Sequence, residues 1–239
     1  MYCPLLIIHC TFVDIMAIIL NLETATTNCS VSIARDGGVI FLKEYDSNNF
    51  SHAEQLHNFI IEVLQKACLS ISDIDAIAVS KGPGSYTGLR IGVSAAKGLC
   101  FSLDKPLISI PTLESMAHQL KIKDGYIIPV LDARRMEVYS KVFDANYNVV
   151  RDTEAEIIDA SSFSVFSEKE KVYIVGSGAE KCVEVLKHKN FNFDVKIVPS
   201  AKEMCQLSFS KYQAKDFEDV AYFEPFYLKD FLLLTKKKA

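Results

Sequence analysis

Alternating apolar and polar positions predict that the first part of the chain forms an antiparallel sheet. The stretch AIILNL from residue 17 has the pattern of a strand, and a polar turn at Thr24–Asn28 follows it. Alternation then continues through Val31 and Ile33, and Asp36-Gly37-Gly38 supplies a second turn before a further strand. This region therefore predicts a three-stranded antiparallel meander.

A helical period replaces this alternation in residues 51–67. Ser51 is placed to cap the first turn, and Glu54, three residues later, completes a capping-box spacing. Apolar residues recur at intervals of three and four and form one apolar face, namely Leu56, Phe59, Ile60, Val63, Leu64 and Ala67. The spacing predicts an amphipathic helix.

A short buried strand is predicted at 75–80, and a glycine-rich turn then leads into a second helix at 88–103. A strand at 107–110 and a helix at 112–120 follow. The same kinds of element then begin again, with strands predicted at 126–131, 138–143 and 172–175 and helices at 180–187 and 201–211. Two α/β lobes are the economical interpretation.

We predict an N-terminal lobe over residues 16–118 and a C-terminal lobe over 119–239, whose last segment can return to the first lobe. Residues 1–15 are apolar but lack the basic start and cleavage site of a signal peptide, so they are interpreted as an extension. No membrane anchor is predicted. Seven cysteines without zinc-ligand spacing favour reduced thiols in a cytoplasmic protein.

Net charge argues against independent binding to nucleic acid. The formal charge is -4, and the hydrophobic fraction of 49% is typical of a globular protein. An acidic chain has no general attraction for phosphate backbones, so contact with RNA would need a local basic patch or a partner.

The most specific motif is GPGSYTGLRIG at Gly82–Gly92. It lacks the lysine of a nucleotide P-loop, and Ser85 lies in no GxSxG nucleophile elbow. Within the second predicted helix, Gly88, Gly92 and Ala96 recur at every fourth position. Glycine costs a helix up to about 1 kcal/mol relative to alanine, so this stripe indicates the close approach of another backbone.

That backbone can belong to the chain's own sheet or to a partner subunit. The apolar stripe of the first helix is widened by Ile61 and Cys68 beyond what one sheet contact requires, which favours a partner.

Seven segments together resemble the TsaB (YeaZ) family over 16–229. They are NLETAT, SHAEQL, GPGSYTGLRIG, IPTLESMA, DARRMEVY, VGSGA and PFYLK. The resemblance implies a two-lobed, actin-like ATPase (ASKHA, ribonuclease H-like) fold and an inactive paralogue of the transferase TsaD. It also implies a role in forming N6-threonylcarbamoyladenosine (t6A) in tRNA.

The resemblance implies partners as well. TsaD and the ATPase TsaE are expected to bind, a homodimer is expected without TsaD, and tRNA is contacted through the complex. The chain has no cofactor of its own, while ATP or ADP is expected at the junction with the partner. The implied partner interface uses the first two helices, and its candidate residues are Leu56, Phe59, Ile60, Val63, Gly88, Arg90, Gly92, Val93 and Ala96.

Residues needed for catalysis by related enzymes are not matched here. TsaD-like relatives hold a metal with HxxxH, whereas His52 and His57 are five apart and project from different sides of a helix, so no metal site is predicted. The turn at 23–26 contains no glycine, unlike a phosphate cradle. A vestigial nucleotide cleft remains an expectation, lined by Glu23, Thr24, Asp132, Gly176 and Gly178. The alternative is a stand-alone ASKHA-type ATPase, kinase or metallopeptidase-like enzyme.

Overall fold

The computed structural model describes residues 16–46 and 52–228. The predicted extension at 1–15 and the Ser51 cap lie outside these residues.

The first lobe contains β1 (Ile18–Glu23), β2 (Asn28–Arg35), β3 (Gly38–Asp46), α1 (His52–Lys66), β4 (Ala76–Gly82), α2 (Tyr86–Leu103), β5 (Leu107–Pro111) and α3 (Thr112–Ala117). The strands form one sheet in the order β3-β2-β1-β4-β5, in which the first three are antiparallel and β4 and β5 are parallel to β1. The predicted meander is confirmed.

The second lobe contains β6 (Tyr126–Asp132), β7 (Glu137–Asp144), β8 (Val149–Ile157), α4 (Ser164–Ser167), β9 (Val172–Val175), α5 (Ala179–Val185) and β10 (Phe191–Asp194). Its sheet order is β10-β9-β6-β7-β8, with an antiparallel β6-β7-β8 meander and parallel β9 and β10. This repeats the topology of the first sheet. The predicted two-lobed, actin-like α/β fold is thereby confirmed.

Helices cover both faces of the first sheet. Side chains alternate across β1, so Leu20 and Leu22 meet α1 and α2, whereas Ile19 faces the other way. The last helix, α6 (Ala201–Ala214), packs on that other face. The apolar residues joined there are Ala17, Ile19, Ala76, Ala78, Ile108, Ile110, Ala201, Met204 and Phe209. A helix that follows the second lobe in sequence therefore completes the core of the first.

Residues 216–228, which we name the C-terminal strap, continue from α6 along the first lobe. The Glu218 amide donates to the Leu107 carbonyl on the outer strand β5 (2.9 Å), and the Phe226 amide donates to the Lys81 carbonyl (2.7 Å). Between these points, Lys97 Nζ donates to two strap carbonyls, those of Ala221 (3.1 Å) and Phe223 (2.9 Å). The strap thus covers part of a sheet edge and lies beside α2.

No helix in the described ranges is long and apolar enough to cross a membrane.

Candidate functional site

The β1–β2 turn and the start of α2 are held together by hydrogen bonds. Ser85 caps α2, since its Oγ accepts from the Gly88 amide (3.3 Å), and its own amide donates to the Ala25 carbonyl (2.7 Å). Thr24 Oγ1 donates to the Gly88 carbonyl (2.8 Å). The GPGSYTG segment therefore serves as a support for the turn that precedes β2.

The glycine stripe of α2 faces this turn. A Cβ on Gly88 would collide with the Thr24 carbonyl oxygen, and a Cβ on Gly92 would collide with the Thr24 hydroxyl. Ala96 is fully buried. Of the two contacts that the sequence left open for Gly88, Gly92 and Ala96, the structure shows the internal one, because the close approach is to the chain's own lobe.

The apolar candidates on the two helices are also internal. Leu56, Phe59, Ile60, Val63 and Val93 are buried in the core between the helices and the first sheet. The contact with the chain's own sheet uses these five side chains, which contradicts their assignment to a partner surface, whereas Ile61 and Cys68 at the side of the stripe are exposed.

Arg90 remains exposed, and its place in a partner interface stays a prediction. Its Nη1 donates to the Tyr86 hydroxyl (2.9 Å), and its guanidinium lies 5.3 Å from the centre of the Tyr86 ring.

The outward side of the same helices carries a groove of about 720 Å³, which we name the α1–α2 groove. Its lining includes Ala53, His57, Tyr86, Thr87, Arg90, Ile91, Ser94 and Gly98. A Cβ on Gly98 would meet no atom within 4 Å, so the groove floor is open there. Two large apolar side chains stand on these helices in solvent, Ile61 at 54% and Phe101 at 86% exposure. Neither side chain lines the groove, but both add exposed apolar area to the two helices that form it.

Glu23 occupies the first predicted cleft position and is completely buried. Its Oε1 accepts from the Ala25 amide (2.6 Å), whereas Oε2 has no hydrogen-bond partner among the described residues. Burial raises the pKa of the Glu23 carboxyl from 4.5 to about 7, and the hydrogen bond from the Ala25 amide offsets only part of this effect.

This carboxyl group changes what the turn can bind. A phosphate cradle presents free amides to the ligand. Here the Ala25 amide is used by Glu23, and the Thr24 amide points to Ser80 Oγ (3.4 Å). The turn therefore satisfies these two donors internally and places an acidic group beside them.

Asp132, the second-lobe counterpart, is neutralised by a lysine. Its Oδ1 accepts from Lys181 Nζ (2.6 Å) and from the Arg134 amide (2.7 Å). The same ammonium donates to the carbonyls of Arg135 (2.5 Å) and Glu137 (3.0 Å). The Lys181 ammonium group therefore occupies the position beside Asp132 in which a metal ion would have to bind if this carboxylate organised a metal.

Gly176 and Gly178 pack against β6. Gly176 has a φ of +113°, and a Cβ there would collide with the Val130 carbonyl. The Gly178 amide donates to the same carbonyl (3.2 Å). Both glycines allow α5 to approach the sheet, and their contact with a nucleotide stays a prediction.

Neither His52 nor His57, the two histidines compared with a metal-binding motif, is grouped with metal-binding side chains. His52 is buried, with Nε2 2.6 Å from the Thr26 carbonyl oxygen, and burial lowers the pKa of its imidazole. His57 is exposed in the α1–α2 groove. Across 16–46 and 52–228, no three His, Cys, Asp or Glu side chains are placed to hold one ion.

Comparison with known proteins places this geometry in a family. The family model described as "TsaD: tRNA N6-adenosine threonylcarbamoyltransferase" matches residues 33–232. The tRNA threonylcarbamoyladenosine biosynthesis protein TsaB of Escherichia coli K12 is 28% identical over 221 residues, which cover 89% of this chain and 94% of the relative. TsaB of Bacillus subtilis is 35% identical over 130 residues, or 52% of this chain and 54% of that protein. The chain belongs to the TsaB (YeaZ) family.

Two solved structures have the same fold as this chain. A Pseudomonas aeruginosa protein described as similar to peptidase YeaZ aligns with a TM-score of 0.80 at 23% identity, over 90% of this chain and all of the other. YeaZ of P. aeruginosa aligns with a TM-score of 0.75 at 22% identity, over 89% of this chain and all of the other.

Apart from Arg90, the residues of α2 that line the groove were not predicted as interface residues from the sequence. Thr87, Ile91, Ser94 and Gly98 recur at intervals of three and four, beside the glycine stripe on the same helix. A second stripe of small and apolar residues was the available signal.

Proposed function

We propose that this chain is a non-catalytic subunit in the formation of N6-threonylcarbamoyladenosine in tRNA. It binds a TsaD-type transferase and supports transfer of the threonylcarbamoyl group to adenosine N6. Its curated relatives are named for this biosynthesis, and its matching family model is named for the transferase. TsaE joins the pair, tRNA is bound by the whole complex, and the chain pairs with itself when TsaD is absent.

The observation that carries the proposal is the α1–α2 groove. Two helices use their inner faces for the lobe's own core and still present an open outer surface with exposed Ile61 and Phe101. A partner subunit seated on these helices would bury this apolar surface, and its removal from water would stabilise the complex.

The side chains at the predicted nucleotide cleft support the proposal that this chain is non-catalytic. Glu23 fills the first turn with a buried carboxyl group, and Lys181 neutralises Asp132 in the second lobe. A nucleotide phosphate would have to displace the Glu23 carboxyl group, and a magnesium ion would have to displace the Lys181 ammonium group. We therefore assign ATP or ADP to the junction with the partner.

Reconstitution tests the function. The purified chain, TsaD, TsaE and the synthase that makes threonylcarbamoyl-adenylate are combined with unmodified tRNA, and t6A is measured by mass spectrometry of digested nucleosides. We expect modification only when this chain is present, and no ATP turnover or acyl transfer by the chain alone. Full modification without it, or turnover by the isolated chain, would reject the proposal.

Ser94→Arg tests the groove. Ser94 is exposed in the groove, so a long cationic side chain is expected to leave the fold intact and to obstruct a partner. We expect the Kd for the TsaD-type subunit to rise at least tenfold by titration calorimetry. Ser210→Arg is the matched control, because Ser210 is also exposed on a helix but lies on α6, against the other face of the sheet. Equal Kd values for the two variants would contradict the assignment.

A further inference from the structure

Contacts lead without a break from the C-terminal strap to the α1–α2 groove. The ring of Tyr227 in the strap lies 5.1 Å from the ring of Tyr86, measured between centroids. Tyr86 in turn accepts a hydrogen bond from Arg90, and both of these residues line the groove. The strap and the groove are therefore neighbouring parts of one surface.

Helix geometry places α2 between the two. With 100° per residue, Tyr86, Arg90, Lys97 and Phe101 fall on one strip of α2. Thr87 and Ile91 lie toward α1 and line the groove. Lys97 holds the strap through its two carbonyl contacts, and Tyr86 and Arg90 line the groove, so this strip joins the strap to the groove.

Large aromatic side chains are exposed along this surface. Tyr222 is 84% exposed, and the lysine contacts on either side of it hold its backbone to α2. Phe226 and Tyr227 are also exposed. Phe101 lies one helical turn after Lys97, on the same face. Tyrosine anchored on a fixed backbone is favoured in protein interfaces, because it covers a large area with little loss of side-chain freedom.

The two helices that line the groove offer a limited area for pairing. Helices of 15 and 18 residues are about 22 and 27 Å long at about 1.5 Å per residue, and each is roughly 10 Å wide. In projection the two helices together cover about 500 Å², whereas a stable interface buries about 800 Å² of accessible surface on each partner. A subunit that covers the neighbouring strap as well as the groove buries more surface than one seated on the groove alone.

We propose that the C-terminal strap forms part of the surface that the partner covers. One TsaD-type subunit covers the groove, the strip of α2 with Phe101, and the strap residues Tyr222, Phe226 and Tyr227. The identity of the occupant rests on the proposed function, while the extent of the surface rests on the contacts and the area. Lys97 is a positioning residue, which holds the strap where its aromatic side chains meet the partner.

Two strap variants test the inference, each measured by titration calorimetry against the TsaD-type subunit. Tyr222→Ala is expected to raise the Kd about tenfold and to leave the Tm of the isolated chain unchanged, because this side chain is almost wholly in solvent. Tyr227→Ala is expected to act in the same direction. Tyr45→Ala is the matched control: Tyr45 is exposed on β3, on the α1 side of the lobe, and we expect no change in Kd.

The outcomes separate this inference from the proposed function. If Ser94→Arg weakens binding and both strap variants bind like the wild type, the strap inference fails and the proposed function stands. If Tyr45→Ala weakens binding in place of the strap variants, the subunit extends over β3 and the inference is overturned. If the strap variants alter only self-association, the occupant is a second copy of this chain and the inference is again overturned. If the wild type does not bind the TsaD-type subunit, both fail.

Discussion

Gly88→Ala is expected to lower the free energy of unfolding of the isolated chain by about 2 kcal/mol. The added Cβ would meet the Thr24 carbonyl oxygen, which is backbone and cannot rotate away. Helix α2 would have to retreat, at a cost of about 1–3 kcal/mol for overpacking, and the bond from Thr24 Oγ1 to the Gly88 carbonyl, worth about 1 kcal/mol, would be lost. The higher helix propensity of alanine returns at most about 1 kcal/mol. Urea denaturation with an unchanged m-value measures this difference.

Gly98→Ala supplies the matched control on the same helix. Its Cβ would meet nothing within 4 Å, so only the gain in helix propensity remains. We expect stabilisation by up to about 1 kcal/mol, opposite in sign to Gly88→Ala. Similar effects of the two substitutions would show that the glycine stripe does not pack against the β1–β2 turn.

Glu23→Gln is expected to remove a pH-dependent loss of stability. The pKa of the Glu23 carboxyl is raised by burial from 4.5 in the unfolded chain to about 7 in the folded one. Its contribution is thus most favourable below pH 4.5 and is lost as the pH rises through 4.5–7, because the folded protein must then bury a charge. This difference in pKa corresponds to about 3 kcal/mol. Glutamine keeps an oxygen for the Ala25 amide and carries no charge.

The measurement is the difference in unfolding free energy between the variant and the wild type at pH 5 and pH 8. We expect the variant to gain about 2–3 kcal/mol relative to the wild type between these values, because a small part of the effect already lies below pH 5. Glu54→Gln is the control, because Glu54 is exposed at the start of α1. A Glu23→Gln difference that does not change with pH would show that the carboxyl group is solvated in the folded protein.

Periodicity predicted most elements of the fold. The predicted helix at 51–67 is α1, and the strands at 107–110 and 172–175 are β5 and β9. Helix α2 begins two residues earlier than predicted, since Ser85 acts as its cap. Strand β8 was missed because it forms the outer edge of its sheet and carries Asp152, Glu154 and Glu156, residue types that are uncommon in strands.

The site was harder to predict than the fold, for a physical reason. Spacing identifies which residues share a helix face, but it does not say what that face meets. The stripe with Gly88 and Gly92 therefore fitted an internal or an external contact equally well, and only the position of Thr24 decides between them. The raised pKa of Glu23 likewise depends on burial by segments far apart in sequence.

The place of α6 also governs how the chain can fold while it is being synthesised. One face of the first sheet, with Ile19, Ala78 and Ile110, has no cover until α6 packs on it. A nascent chain that has not yet reached Ala201 can pair all five strands of this sheet and still expose that face. Exposed apolar sheet surface promotes aggregation, so ribosome-bound chaperones are expected to protect the first lobe until the second has left the ribosome.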